Sequence, residues 1–564
     1  MYDQQTIDFA RAQEALVLPL EYRVHAQAVP APPGRGQNRW SVGRTLFSSG
    51  LQAILRRFGI PVYIAAQIVS WLGKKMSPVS LFLVVLAYFG LLLGVAWATS
   101  RNANNDSFFI GNKSSNWMLV AFGMVGTTLS GVTFISVPGA VGRDGFGYMQ
   151  IMIGYVLGYI AVAYVLLPLY YRLKLTSIYH YLDVRLGRRA YQSGAAFFIL
   201  SRTLGATARL YLVVNILQAV ILDSLGVPFW LTNLVILAMI LLYTYEGGVK
   251  TIVWTDTLQT TGMLFGLVAC TVFLLNEMNL GVLESLERMR SAGLARVFTT
   301  DINSPGHFWK QIAAGVFIVI TMTGMDQEMM QKNISVRTLR DSQKNMLALN
   351  AILAGVLTLF LFLGGLLYLY APQVGVAATG DKIFPAVVMG HLPALLQLVF
   401  IIALVSALFP SADGAITALT SSFCIDILGL KRRDDLGEGA QLRIRHRVHL
   451  AFCALFLLLV MIFKWIDSAS MIGMILKLAG YTYGPLLGLF AFGLLSKRAV
   501  NDKLVPWVAL AGPLLCALVD FNQAILFGSY RIGLELLIIN GLLVMAGLYL
   551  ISSPDKANVA YSVK

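Results

Sequence analysis

The feature that most constrains this chain is a succession of apolar runs, each long enough to cross a bilayer. A membrane-spanning helix needs about 20 mainly apolar residues, and the sequence contains about thirteen runs of that kind. The runs lie near residues 79–99, 118–140, 149–171, 190–222, 228–244, 251–275, 309–330, 346–370, 394–428, 448–463, 469–496, 505–523 and 533–551. Charged residues make up 13% of the chain, whereas a soluble domain carries about 25%. The sequence therefore excludes a soluble enzyme and predicts an all-α polytopic membrane protein, with about 13 transmembrane helices in a lipid bilayer.

Basic residues fall mainly in every second loop, which indicates the orientation of the chain. The loops near 172–189, 332–344 and 431–447 are rich in lysine and arginine, and the loops between them carry fewer. Because cytoplasmic loops hold the excess of basic residues, we expect a cytoplasmic C-terminus. With an odd number of spans, the N-terminus then lies on the outer side of the cell (inner) membrane. In this interpretation the net charge of +15 comes mainly from basic residues in cytoplasmic loops. We therefore expect no nucleic-acid partner.

Residues 1–75 do not follow this pattern, because they carry basic residues on the expected outer side. Their apolar stretch 60–72 is too short to span a bilayer. Two interpretations remain open. The segment forms an interfacial helix, or translation starts at Met76 and a peripheral first span follows over 76–100. N-terminal sequencing of the native protein distinguishes them.

Two spans combine apolar residues with residues that interrupt helices. The second span includes the glycine-rich stretch Gly123–Gly139 with Pro138, and the seventh ends in the small and polar residues Thr321–Glu328. An unwound, protein-lined segment can present its freed carbonyls to an ion. The two spans stand five apart, so they fit an inverted repeat of five plus five helices whose first members are interrupted. The alternative is a kinked packing face of small residues.

Five ionisable residues lie within or at the edge of the apolar runs. They are Arg202, Arg209, Asp256, Asp413 and Lys477. Each costs about 2.5–3.5 kcal/mol at the centre of a bilayer, so such residues are functional by default. Arg202 and Arg209 stand at i and i+7 and share one helix face. The structural alternative is a set of internal ion pairs, such as Asp256 with Arg202 or Arg209.

Four motifs carry a family resemblance. They are Ser130-Gly-Val-Thr-Phe-x3-Pro138-Gly139, Gly247-Gly248-x5-Trp254-Thr255-Asp256-x2-Gln259, Asp326-Gln327-x3-Gln331 and Gly480-x3-Gly484-Pro485-Leu-Leu-Gly488. In this order, over about residues 79–550, the chain resembles the sodium:solute symporter family. The resemblance implies a LeuT-type fold with one helix before the repeats and two after them. It divides the chain into a first repeat over 117–275, a second over 308–497, peripheral spans over 504–552 and a cytoplasmic tail over 553–564.

The resemblance also implies where sodium binds. Backbone carbonyls of Gly126 and Leu129 in the second span would face Ala407, position 410 and Ser411 in the ninth span. Oxygen ligands of this kind suit a small hard cation. The family has a hydroxyl residue at position 410, and this chain has Pro410.

One oxygen ligand is therefore missing, and two compensations are available. Pro410 has no N–H, so the carbonyl of Ser406 loses its helical partner and can turn toward a cation. Asp413 stands three residues after Pro410 and can add a charged oxygen, so we expect it to replace the hydroxyl. A variant of this hypothesis has Asp413 carry a proton, with H⁺ as the coupling ion. Asp256 matches a family aspartate at the inner mouth of the sodium path, where it would ease release.

The resemblance, taken position by position, also implies which residues bind the solute. They are Thr128, Ser130, Thr133, Met322, Lys477 and Tyr481. Sugar carriers of the family have Asn and Tyr where this chain has Val319 and Met322, and proline carriers have Asp at Thr128, which argues against both solutes. A buried ammonium at Lys477 would suit a solute with a carboxylate. The alternative is a lysine in the outer vestibule.

These features predict a sodium-coupled symporter that imports a small organic solute by alternating access. A transporter of the same fold coupled to protons or uncoupled is the alternative, and a transporter-like solute sensor is a further one. We expect no enzyme, because the sequence has no HExxH, GxSxG or GxxxxGK[ST] motif.

Overall fold

The protein is described by a computed structural model. It describes residues 77–100, 115–433, 435–466 and 471–556. The N-terminal extension 1–75 and its two interpretations therefore lie outside the described residues.

Helices dominate the first half of the described chain. They are α1 Pro78–Ser100, α2 Trp117–Thr128, α3 Gly131–Asp144, α4 Tyr148–Ala161, α5 Leu167–Arg172, α6 His180–Arg185, α7 Arg188–Leu217, α8 Phe229–Glu277 and α9 Val282–Ser291. Short π turns extend α4 over Val162–Leu166 and α7 over Gln218–Leu222.

The second half continues in the same way. Its helices are α10 Phe308–Val319, α11 Gln327–Ile334, α12 Leu339–Tyr370, α13 Ile383–His391, α14 Ala394–Ser422, α15 Glu438–Ile466, α16 Met471–Thr482, α17 Gly484–Leu495, α18 Val505–Phe521, α19 Gln523–Phe527 and α20 Leu536–Leu550. The strands β1 Arg498–Val500 and β2 Ser552–Lys556 pair antiparallel. The segment 553–564, expected to be a cytoplasmic tail, thus begins within strand β2. Its backbone groups form hydrogen bonds with those of β1, which would otherwise lack partners.

The described helices have the lengths and apolar character of membrane spans. Seven helices satisfy both criteria alone, and three more candidates are pairs of helices bent by more than 40°. The segments 229–242, 505–521 and 536–550 are apolar but shorter. The prediction of an all-α membrane protein is confirmed, and the count of thirteen spans stays a prediction.

The two spans predicted near 228–244 and 251–275 form one helical run in the structure. The helix α8 continues from Phe229 to Glu277 through the glycine pair at 247 and 248. Glycine disfavours a helix by only about 1 kcal/mol, against about 3 kcal/mol for proline. The connection contains no proline, so the helix has no strong reason to stop there.

Helix α14 lies at the centre of the molecule. Every residue from Ala403 to Ser422 is buried, and α14 packs against α2, α7, α8 and α15. Pro410 lies inside this helix. The central position of α14 brings it against the breaks that the sequence predicts in two other spans.

Helices α4 and α10 cross with their backbones in contact. A Cβ added to Gly154 would lie 2.8 Å from the Cα of Gly315 and would also overlap the carbonyl of Ile312. Small residues at such crossings let two helices approach closely within a membrane.

We expect Gly154→Val to lower the melting temperature of the purified protein by several degrees. Overpacking of this kind costs about 1–3 kcal/mol, and here the obstacle is backbone that cannot move aside. Gly355→Val is the matched control, because nothing lies within 4 Å of a Cβ at that position. Equal melting temperatures for the two variants in detergent would refute the close crossing.

Candidate functional site

The first helix break separates α2 from α3. The two helices meet at 57°, and Leu129 and Ser130 lie between them. The amide of Leu129 donates the last helical bond, to the carbonyl of Val125 (2.8 Å). The last four carbonyls of a helix have no partner within it, and here they extend from Gly126 to Leu129. The break therefore exposes backbone oxygens inside the protein, where the sequence predicts them.

The second break separates α10 from α11 at an angle of 63°. Asp326 caps α11, because its Oδ1 accepts a hydrogen bond from the amide of Glu328 (2.9 Å). The Tyr170 hydroxyl donates to the carbonyl of Gly324 (2.8 Å), within the π turn Ile320–Gly324 that precedes the break. These side chains satisfy backbone groups that the helix leaves unpaired.

A cavity of about 90 Å³ lies between the two breaks. A single water needs about 10–15 Å³ on the same measure, so the cavity accepts a small solute. The breaks themselves line it, together with three tyrosines of α4. Four of the six expected solute-binding residues line this cavity: Thr128, Ser130, Thr133 and Met322.

The other two expected solute-binding residues do not line the cavity. The Lys477 ammonium lies 2.8 Å from Oδ2 of Asp520, and its side chain is 58% exposed. The Tyr481 hydroxyl donates to the same carboxylate. The two residues are one turn apart on α16 and face α18, while Leu476 faces the cavity. The expectation of a buried ammonium at Lys477 is therefore wrong, because α16 turns that face away from the cavity.

Arg209 on α7 lines the cavity instead. Its side chain is partly buried, and Arg202, seven residues earlier, also reaches the cavity wall, as the shared face predicts. Within the described residues, the Arg209 guanidinium makes no hydrogen bond and no ion pair. Sequence reasoning marked Arg209 as an intramembrane charge and did not include it among the solute-binding residues.

A buried ion pair joins α8 to α11. The Lys332 ammonium lies 2.7 Å from Oδ2 of Asp256 and donates to the Thr127 hydroxyl (2.7 Å). The side chains of Lys332 and Asp256 are at most 3% exposed. The placement of Lys332 in a water-facing loop is thus wrong. Asp256 forms the internal ion pair that was the structural alternative, with Lys332 as its partner and not Arg202 or Arg209. The physical reason is that α11 continues inward beyond the break and buries its whole length.

The ion pairs continue from α11 to α7 and to the junction of α16 and α17. Glu328 lies 3.5 Å from the Lys332 ammonium and accepts a hydrogen bond from Arg202. Arg202 also lies 3.8 Å from Asp326, whose Oδ2 accepts from the Tyr483 hydroxyl (2.7 Å). We call these groups, with Asp256 and Thr127, the buried ion network. It ties α11, the second half of the broken span, to four other spans: α2, α7, α8 and α16–α17.

The residues expected at the sodium position lie against the first break. A Cβ added to Gly126 would be 3.6 Å from Cγ of Pro410, and one at Gly131 would be 3.8 Å from the carbonyl carbon of Ala407. The central helix α14 and the broken span α2–α3 therefore meet at the level that the sequence predicts. The ligand roles of Gly126, Leu129, Ala407 and Ser411 stay predictions.

Asp413 lies one turn further along α14 and is fully buried. Its Oδ1 accepts a hydrogen bond from the amide of Gly414. A Cβ at Gly414 would be 3.3 Å from the Lys332 ammonium, so this part of α14 faces the buried ion network. The role of Asp413 as a replacement ligand stays a prediction.

Comparison with known proteins identifies the family of the chain. The profile described as the sodium:solute symporter family matches residues 108–504. The chain is 27% identical over 423 residues to the sodium-dependent multivitamin transporter of Oryctolagus cuniculus, a match that covers 73% of this chain and 65% of the rabbit protein. It is 23% identical over 436 residues to the sodium/sialic acid symporter SiaT of Proteus mirabilis, which covers 72% of this chain and 83% of that one.

A solved structure has the same fold. It shows the substrate-bound outward-open state of a Na⁺-coupled sialic acid symporter. The TM-score is 0.71 at 19% sequence identity, and the match covers 83% of this chain and 97% of the other. This likeness confirms the predicted LeuT-type fold, though not the number of helices.

Proposed function

The chain belongs to the sodium:solute symporter family, and on that premise we propose that it imports a small organic anion together with sodium, by alternating access. The observation that carries this proposal is the cavity bordered by both helix breaks. Broken helices at a repeat interface are where transporters of this class hold substrate and coupling ion. The repeats would comprise residues 117–275 and 308–497.

The coupling ion in this proposal is sodium. The carbonyls of Gly126, Leu129 and Ala407 and the hydroxyl of Ser411 are oxygen donors, as a small hard cation requires. One cation moving through about 100 mV supplies about 2.3 kcal/mol. Moving a monoanion inward against the same potential offsets that amount, so a cycle of one sodium and one anion keeps about the 1.4 kcal/mol of a tenfold ion gradient and supports roughly tenfold accumulation.

The proposed solute carries a carboxylate and an apolar body. Arg209 supports this choice, because its guanidinium lies at the cavity wall with no partner among the described residues and can bind a carboxylate through two parallel hydrogen bonds. Ile318, Val319 and Ile475 line the same cavity and suit an aliphatic or aromatic group. In this proposal Arg209, and not Lys477, binds the carboxylate of the solute.

In the proposed orientation the protein lies in the cell (inner) membrane with its C-terminus in the cytoplasm. The first described span, α1, would lie at the periphery of the helix bundle. The distribution of basic residues supports it. Asp256, in the buried ion network, would lie on the inner side of the sodium position and receive the ion before release.

We expect uptake into proteoliposomes to fall at least tenfold when external sodium is replaced by choline at constant pH. The assay screens aliphatic and aromatic monocarboxylates, with amino acids, sugars and vitamins as comparison solutes. Sodium supplies the driving force in this proposal, so collapse of its gradient by an ionophore should abolish accumulation.

The competing outcome is proton coupling, which the loss of a hydroxyl at Pro410 favours. Uptake that is unchanged in choline and abolished by a protonophore would establish it and reject sodium coupling. Uptake that ignores both treatments would indicate an uncoupled transporter.

A further inference from the structure

Gln259 on α8 is a buried side chain that nothing in the described structure satisfies. Its relative exposure is 0%, and within the described residues neither Oε1 nor Nε2 has a hydrogen-bond partner. Burial of an unpaired amide costs about 1–3 kcal/mol by mutational data. Buried polar groups are almost always paired, so a fully unpaired amide calls for a ligand.

The packing of α8 against α14 locates Gln259 along the central helix. A Cβ at Gly262 would lie 3.3 Å from Cβ of Ser406, and one at Gly266 would lie 3.7 Å from Cα of Ala403. Higher numbers on α8 meet lower numbers on α14, so the two helices run antiparallel. Gln259 stands three residues before the first of these glycines and seven before the second, and therefore shares their face toward α14.

One turn before Gly262 on α8 corresponds to one turn after Ser406 on α14, so Gln259 lies level with Pro410. The neighbouring residue Thr260 accepts a hydrogen bond from the amide of Gly126 (3.1 Å). A Cβ at Gly126 would itself lie 3.6 Å from Cγ of Pro410. Gln259 therefore lies at the junction of α2, α8 and α14, where the exposed carbonyls of the first break begin.

We propose that Gln259 Oε1 is a ligand of the transported sodium ion and takes the place of the hydroxyl that Pro410 lacks. The inference rests on the proposed function. An amide oxygen is a suitable ligand for a hard cation, and it needs no change of charge in the site. Asp413 is the less suitable replacement, because its turn of α14 faces the Lys332 ammonium.

The test compares Gln259→Leu with wild type in two measurements that are independent of each other. One is ²²Na⁺ binding to the purified protein without solute, and the other is the sodium concentration for half-maximal uptake. We expect Gln259→Leu to weaken both at least tenfold. Gln259→Glu keeps a side-chain oxygen and should stay within about threefold of wild type, since a carboxylate is also a hard-cation ligand.

A second-site change separates ligation from folding. Pro410→Ser restores the hydroxyl at position 410, and Gln259→Leu/Pro410→Ser should recover sodium binding to within about threefold of wild type. Gln397→Leu is the matched control: it removes a different buried amide, on α14, that donates to the carbonyl of Leu392 (3.0 Å) near the start of that helix. Its sodium dependence should equal that of wild type.

Three outcomes overturn the inference. Unchanged sodium binding in Gln259→Leu rejects the ligand alone and leaves sodium coupling in place. A tenfold loss in Asp413→Asn with none in Gln259→Leu assigns the ligand to Asp413. A wild-type protein that neither binds ²²Na⁺ nor responds to choline replacement rejects the proposed function and the ligand with it.

Discussion

Replacement of Arg209 by glutamine is expected to lower kcat/KM for an anionic solute by a factor of about 30 or more. Removal of one partner from a buried, hydrogen-bonded charge pair costs about 2–5 kcal/mol, and the solute carboxylate would lose both bonds to the guanidinium. Arg209→Lys keeps the charge without the planar fork and should fall between wild type and the glutamine variant. The measurement is initial uptake in proteoliposomes over a range of solute concentrations.

The control for Arg209 uses the solute as well as the protein. Wild type should prefer a carboxylic acid to its neutral primary amide, and Arg209→Gln should lose that preference even if its overall rate falls for structural reasons. Arg432→Gln removes an exposed arginine that pairs with Asp183 at 2.9 Å, and it should keep the preference. A glutamine variant that still prefers the acid would show that another group holds the carboxylate.

The second large effect concerns the stability of the buried ion network. Lys332→Met should destabilise the protein by about 3–5 kcal/mol, because it leaves Asp256 buried without its cation and removes one of the two cations beside Glu328. The double variant Lys332→Met/Asp256→Asn removes one charge of each sign and should recover most of that loss. Thermal unfolding of the detergent-solubilised protein, followed by tryptophan fluorescence, measures both.

Lys344→Met is the matched control for Lys332→Met. Its ammonium pairs with Asp341 at 3.2 Å, but Lys344 is exposed and Asp341 partly exposed, and such surface pairs contribute about 0–1 kcal/mol. Similar melting temperatures for Lys332→Met and Lys344→Met would contradict the buried network. A double variant as unstable as Lys332→Met would show that the loss does not come from unpaired charge.

The sequence predicted the elements of the candidate site better than the directions of its side chains. The breaks near Leu129 and Met325 follow from glycine, proline and polar residues within apolar runs, and such residues act locally. The side chains of Lys332 and Lys477 were both misjudged, in opposite senses. Lys332 follows an apolar run and Lys477 lies within one, and neither local pattern shows whether the side chain faces water or the protein interior.

Arg209 and Gln259 show what local pattern omits. Each lies within a long apolar span. What separates these two side chains from polar residues that only stabilise the fold is that neither has a hydrogen-bond partner among the described residues. Whether a partner exists depends on which helices pack together and in which register, and no single span contains that information.

The sequence by itself determined that this is an all-α membrane protein, that its second and seventh spans are interrupted and to which family it belongs. Those properties depend on stretches of about 20 residues that partition into lipid or break a helix independently of distant contacts. Only the tertiary structure decided that Lys332 joins Asp256, that Lys477 turns to Asp520, and that Arg209 faces the cavity. The energy of a charge inside a protein depends on neighbours within a few ångströms, and folding brings those neighbours from helices far apart in the chain.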